Sequence, residues 1–285
     1  MEPIAEDQTS RLAEINFLDY KDFLFHYNDV GNGEVVVMLH GGGPGASGWS
    51  NFERNIPVLA RAGFRVIALD CPGFGKSGEI VSNMQRGLLN AKAVLSLIDY
   101  LGIEKVHFVG NSLGASSALN FALEYPKRTG RLVLMAPGGL GSSIMQPTPC
   151  EGVKLMFQLY REPTFEIFES MLEVFVFDPS VLTQELRAYR WQTIKNSTAH
   201  LKNFAKSMEL APLSSWDISD KLDKITAESL IVWGRDDRFV PLDHALKLLA
   251  LLPNADLHVL TKCGHWAQWE QAEKFNRLVI NFLTK

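Results

Sequence analysis

Gly110-Asn111-Ser112-Leu113-Gly114 sets a serine between two glycines, each two residues away. A chain that turns sharply from strand to helix at such a serine holds the hydroxyl out as a nucleophile, and the glycines allow the close approach that the turn requires. Alone the pattern is weak, arising by chance in roughly one chain in ten of this length at average glycine and serine frequencies. Its weight comes from the elements on either side. A hydroxyl needs a base, and the base an orienting acid. Where such a turn carries the nucleophile, the acid and then the base follow along the chain. Seven histidines compete: His26, His40, His107, His200, His244, His258 and His265. His107 and His258 fall inside predicted strands, and His40 ends a strand before Gly41-Gly42-Gly43-Pro44, where it is read as shaping the loop. Only His265 lies beyond the last predicted strand, so it is the candidate base. For the acid, Gly234-Arg-Asp-Asp-Arg-Phe-Val-Pro241 directly follows a predicted strand. Asp236 and Asp237 both qualify. Asp236 also suits a turn, and Asp237 is preferred because Val-Pro begins three residues after it, the spacing usual for this arrangement.

Acyl transfer also needs donors for a developing oxyanion. The backbone N–H of Leu113, next after the nucleophile, is one candidate. Gly42, in the glycine-rich loop after residue 39, is the other.

These groups need a rigid support, and the sequence supplies one. Residues 34–39, 65–70, 105–109 and 131–135 are short apolar, β-branched runs, as expected of parallel strands covered on both faces. Residues 88–100 and 113–125 have helical spacing between them. The rhythm breaks near Pro147 and resumes with strands over 229–234 and 256–260 and a helix over 272–283. Alternating β and α elements predict an α/β fold with a mostly parallel central sheet flanked by helices. The core comprises residues 1–142 and 216–285. Residues 143–215 form a helical insert, a cap ahead of the strand that carries the acid, with one helix marked by Phe165, Phe168, Leu172 and Phe175.

Composition narrows the class. The 285 residues are 46% hydrophobic and 21% charged with a net charge of −4, which suits a folded domain, and no Lys/Arg-rich run offers a nucleic-acid footprint. Cys71, Cys150 and Cys263 are odd in number and widely spaced, so neither a disulfide framework nor a zinc site is expected, and a reducing cytoplasm is. The acidic start, residues 1–7, lacks a signal-peptide layout. Residues 132–150, the longest uncharged stretch, carry three prolines and three glycines and do not read as a membrane span. No dinucleotide fingerprint or metal-ligand cluster is present, so no cofactor or metal is expected.

Over essentially its whole length the sequence resembles the α/β-hydrolase superfamily, with Asp70-Cys-Pro-Gly-Phe-Gly-Lys-Ser77 a further match. Within it the chain resembles the meta-cleavage product hydrolases, which break a carbon–carbon bond in ring-opened aromatic compounds. The resemblance rests on His40-Gly-Gly-Gly-Pro-Gly-Ala46, Gly110-Asn-Ser-Leu-Gly114, Gly234-Arg-Asp-Asp-Arg-Phe-Val-Pro241 and Cys263-Gly-His-Trp-Ala-Gln-Trp269. Glu151-Gly-Val-Lys154 and Phe175-Val-Phe-Asp178 in the insert add to it. It implies an acidic, aromatic ring-fission product as substrate and a homo-oligomer. It also implies that Arg190, Asn111, Asn51 and Gly43 hold the dienoate end, with Trp266 packed against the chain. Met171, Phe175, Trp216 and Phe239 would line the apolar subsite. From the residues alone, Arg190 reads as a solvated helix position. Leu113 departs from the methionine of many relatives, a change that leaves its backbone N–H intact. Two rivals remain: an ester or lactone hydrolase on the same fold, and a ligand-sensing protein that keeps it.

Overall fold

The apolar runs predicted as strands are strands, because each is covered on both faces. The computed structural model describes residues 4–285; Met1, Glu2 and Pro3 of the acidic start lie outside the described residues. One sheet contains β1 (Ser10–Phe17), β2 (Tyr20–Val30), β3 (Val35–Leu39), β4 (Arg65–Leu69), β5 (Val106–Asn111), β6 (Thr129–Met135), β7 (Ser229–Gly234) and β8 (Ala255–Leu260). Their order is β1-β2-β4-β3-β5-β6-β7-β8. β3 to β8 pair in parallel, while β2 runs antiparallel to both β1 and β4. Alternate residues face opposite sides: Val37, Leu39, Ile67 and Leu69 join one apolar cluster, and Val36, Met38, Val66 and Ala68 join the other. That double burial explains runs without polar alternation.

β1 and β2 are a correction, since no strand was expected before residue 34. Both are antiparallel, and β1 buries only a minority of its residues. Its sequence therefore mixes charged and apolar positions and carries no continuous run.

Among the described residues, the helices of nine or more residues are α1 (Arg86–Tyr100), α2 (Leu113–Glu124), α3 (Glu151–Arg161), α4 (Phe165–Phe175), α5 (Gln184–Asn196), α6 (Thr198–Leu210), α7 (Asp243–Leu251) and α8 (Ala272–Leu283). The chain leaves the sheet after β6 for α3 to α6 before returning at β7. These four helices pack through their own apolar faces. Tyr160 of α3 stacks on Phe204 of α6 at 4.3 Å between ring centroids, and Phe168 and Leu172 of α4 are fully buried. The three cysteines are unpaired and buried. No helix of the described residues is long and apolar enough to cross a membrane.

Candidate active site

Ser112 joins β5 to α2 with φ 55° and ψ −116°, a left-handed backbone that a serine adopts only under constraint. The constraint is visible around it. The Ser112 N–H donates to the Met135 carbonyl on the neighbouring strand at 2.8 Å. A Cβ at Gly110 would lie 2.6 Å from the Ala115 nitrogen, and one at Gly114 would run into the Leu39 carbonyl. Both glycines are therefore required by close approach.

His265 and Asp237 meet across the ends of two loops. His265 Nδ1 and Asp237 Oδ2 are 2.8 Å apart, and both side chains are buried. A carboxylate oxygen can only accept, so Nδ1 carries the proton and Nε2 keeps a lone pair. The other oxygen, Asp237 Oδ1, accepts the N–H groups of Phe239 at 2.7 Å and Val240 at 3.0 Å, which fixes the carboxylate plane. Asp236 does something else: it pairs with Arg235, and its backbone N–H donates to the Cys263 carbonyl at 2.9 Å, holding the turn. The His265 loop is itself tied down. The His265 N–H donates to the Phe175 carbonyl at 2.7 Å, and Asn111 Nδ2 donates to the His265 carbonyl at 3.2 Å. Glu270 accepts the N–H groups of Gly264 at 2.8 Å and Phe177 at 2.7 Å.

Two chambers open on either side of Ser112. The smaller, of about 10 Å³, sets Ser112, His265, Arg190, Asn111, Asn51 and Gly43 in a wall completed by Phe175, Phe239 and Trp266. Arg190 is only 1% exposed, which corrects the reading of a solvated helix position. Its guanidinium lies 4.7 Å above the Trp266 ring. Burial lowers its pKa to about 10, so it stays cationic at neutral pH. Arg190 Nε and Nη1 and Asn51 Nδ2 have no hydrogen-bond partner. Three unpaired donors around one cation make an anion site.

The larger chamber, about 440 Å³, is mainly apolar; Trp216, Phe239 and Leu113 contribute to it. Gly42 and Ser112 border both chambers. Phe175 lines the small chamber rather than the large one, stacking on Phe239 at 4.1 Å and on Trp266 at 4.3 Å. Met171 is fully buried and belongs to neither wall.

Two clamps hold the glycine loop, one of which sequence reasoning missed. His40 Nε2 accepts the Cys71 N–H at 3.0 Å, so its Nδ1 carries the proton and donates to the Gly41 carbonyl at 2.8 Å. Burial depresses the His40 pKa, consistent with this neutral imidazole. Tyr160 donates to the Gly42 carbonyl at 2.8 Å. Sequence reasoning also missed Val153 and Met156, which line the large chamber. The signal was the helical spacing of Val153, Met156, Phe157 and Tyr160.

A model of the α/β-hydrolase fold matches residues 34–272. The 2-hydroxy-6-oxo-6-phenylhexa-2,4-dienoate hydrolase of Comamonas testosteroni is 56% identical over 99% of both chains. The 2-hydroxy-6-oxononadienedioate/2-hydroxy-6-oxononatrienedioate hydrolase of the same species is 55% identical over 99% of both. Among solved structures, a meta-cleavage product hydrolase from Pseudomonas fluorescens IP01 superposes with a TM-score of 0.83 at 31% identity, covering 97% of this chain and 98% of that one. The 2-hydroxy-6-oxo-6-phenylhexa-2,4-dienoate hydrolase from Rhodococcus sp. strain RHA1 gives 0.85 at 29%, covering 97% and 100%. The chain belongs to the α/β-hydrolase fold family. Within that family it falls among the meta-cleavage product hydrolases.

Proposed function

We propose that this chain hydrolyses 2-hydroxy-6-oxo-6-phenylhexa-2,4-dienoate to 2-hydroxypenta-2,4-dienoate and benzoate, with Ser112 as nucleophile, His265 as base and Asp237 as orienting acid. One observation carries the reading. A buried Arg190 with two unpaired guanidinium nitrogens shares a chamber with Ser112 and His265. An uncompensated buried cation calls for an anionic ligand, and the substrate's carboxylate supplies it.

Carbon is a poor leaving group, so the electrons of the breaking bond need a sink. Moving the proton of the C2 enol to C5 gives a keto form, conjugated through C3 and C4 to a carbonyl at C2. Arg190, Asn51 and Asn111 hold this end, and the guanidinium stabilises the negative charge that develops there. Ser112 loses its proton to His265 Nε2 and attacks the C6 ketone. The N–H groups of Gly42 and Leu113 stabilise the oxyanion. The C5–C6 bond then breaks, its electron pair passing into the C2 oxygen, and the dienolate takes a proton to leave as the 2-hydroxydienoate. The acyl group stays on Ser112 until water, deprotonated by His265, releases benzoate. The family resemblance also supports a homo-oligomer, and the unpaired cysteines suit a reducing compartment.

The test mixes purified protein with the yellow ring-fission product, with p-nitrophenyl acetate in parallel. Fast bleaching with stoichiometric benzoate and slow ester turnover is the expected result. Rapid ester cleavage without bleaching would move the chain to the esterase reading.

A further inference from the structure

The large chamber carries a polar feature that the proposed chemistry leaves unused. His244, at the start of α7, lines this chamber and is only 5% exposed, yet among the described residues no side chain bonds to either ring nitrogen. Buried imidazole nitrogens are ordinarily satisfied. The charged groups around it are occupied elsewhere. Asp243 accepts from Ser143 Oγ and the Ile144 N–H, both at 2.8 Å. The Lys247 ammonium donates to the Leu140 carbonyl, and Lys247 is not part of the chamber wall. The Ser142 backbone carbonyl faces the ring as the hydrogen-bond partner of one nitrogen, which leaves the other nitrogen free. Burial favours the neutral imidazole, which offers one donor and one acceptor.

Asp217 lines the same chamber, with its Oδ1 taken by the Ser219 N–H at 2.9 Å. Asp217 and Ser142 are exposed at the surface, whereas the Gly42 and Leu113 part of the wall is buried. The polar groups therefore stand at the outer part of the chamber. No lysine or arginine lines it.

We propose that His244 and Asp217 form an outer subsite that accepts a C6 aryl group bearing an uncharged hydrogen-bonding substituent, such as a phenolic hydroxyl, and rejects a tail carboxylate. A hydroxyl there donates to Asp217 or to the imidazole nitrogen that Ser142 leaves free. A second carboxylate would meet Asp217, whose nearby cation, Lys247, stands outside the wall and already donates to the Leu140 carbonyl. This inference rests on the proposed carbon–carbon hydrolysis, and it separates this chain from relatives named for dioate substrates.

The experiment compares ring-fission products that differ only at C6: phenyl, 3- and 4-hydroxyphenyl, and carboxyethyl. In the unaltered protein, kcat/KM for one hydroxyphenyl isomer should exceed that for phenyl by about fivefold, the size of one net hydrogen bond. The carboxyethyl compound should fall below phenyl by about a hundredfold. His244→Leu should abolish the hydroxyl preference while leaving phenyl turnover within about twofold, and His244→Asn should restore part of it. Asp217→Asn, at an exposed position, should raise carboxyethyl turnover and keeps the test open if His244→Leu does not fold. A hydroxyl preference that survives His244→Leu would overturn the subsite, as would carboxyethyl turnover matching phenyl. Failure of every compound to bleach would instead refute the proposed function.

Discussion

The Tyr160 hydroxyl donates to the Gly42 carbonyl at 2.8 Å, so a helix of the insert holds a peptide of the loop beside Ser112. In a trans peptide the N–H of Gly43 then points the opposite way, while His40 orients the preceding peptide, and with it the Gly42 N–H, through the Gly41 carbonyl. Tyr160→Phe keeps the ring stacked on Phe204 and removes only the hydroxyl. We expect kcat to fall about fivefold with little change in KM, since a net hydrogen bond is worth roughly 1 kcal/mol and the oxyanion forms only after binding. Stopped-flow absorbance would separate the steps: bleaching by cleavage should slow, and the earlier enol-to-keto change should not.

Ser112→Ala should lower turnover by several orders of magnitude, about the loss seen when a triad nucleophile is removed. Asp237→Asn should cost about 10³-fold or more, because its amide presents an N–H where His265 needs an acceptor, favouring the wrong tautomer. Substrate binding by either variant, followed by the shift of its visible absorbance, should survive. Near-normal turnover of Ser112→Ala would remove the serine from the mechanism.

Gly114→Ala should be among the most damaging single substitutions. The added methyl would strike the Leu39 and His40 carbonyls, which belong to backbone and cannot swing aside. A loss of more than about 3 kcal/mol is expected from such overpacking. Urea unfolding of the purified variant would measure it.

Glu270 gives stability a pH dependence with a definite sign. Burial raises its carboxyl from the ordinary 4.5 to about 7, even though it accepts from Phe177 and Gly264. A carboxyl with a raised folded-state pKa contributes stability that is complete below 4.5 and is lost as pH rises through 7, amounting to about 3 kcal/mol in all. Thermal unfolding should therefore show the native protein losing stability relative to Glu270→Gln between pH 5 and pH 8. A difference that stays constant across that range would contradict the assignment.

Much of this was legible in the chain because the informative residues announce local requirements. Five of the six parallel strands show as largely apolar runs, the edge strand β8 mixing Asp256 and His258 with apolar positions, and the elbow shows through two glycines that sterics demand. The choice of Asp237 over Asp236 rested on spacing alone, and the two hydrogen bonds from Phe239 and Val240 supply its physical reason. β1 and β2 escaped because half-exposed antiparallel strands tolerate charge. Arg190 shares one buried face of its helix with Leu186 and Ile194, four residues away on either side, a spacing that its charge masked in the sequence; the rest of its environment comes from Gly43 and Trp266. The spacing of Tyr160 marked its helix face, but its partner, 118 residues away, could not be read from it.

The bonds from His265 to the Phe175 carbonyl and from Phe177 to Glu270 pin the insert near its middle, not only at its ends on β6 and β7. Tyr160 on Gly42 and Tyr189 on Ser47 fasten the two spans again on either side of that central post, so the insert is anchored along its length and not only at a hinge. Amide hydrogen exchange should register this as slow exchange at His265 and Phe177, flanked by faster exchange in the two spans. A door hung this way would flex in a panel between its fixings, while His265 on the post stays against Asp237.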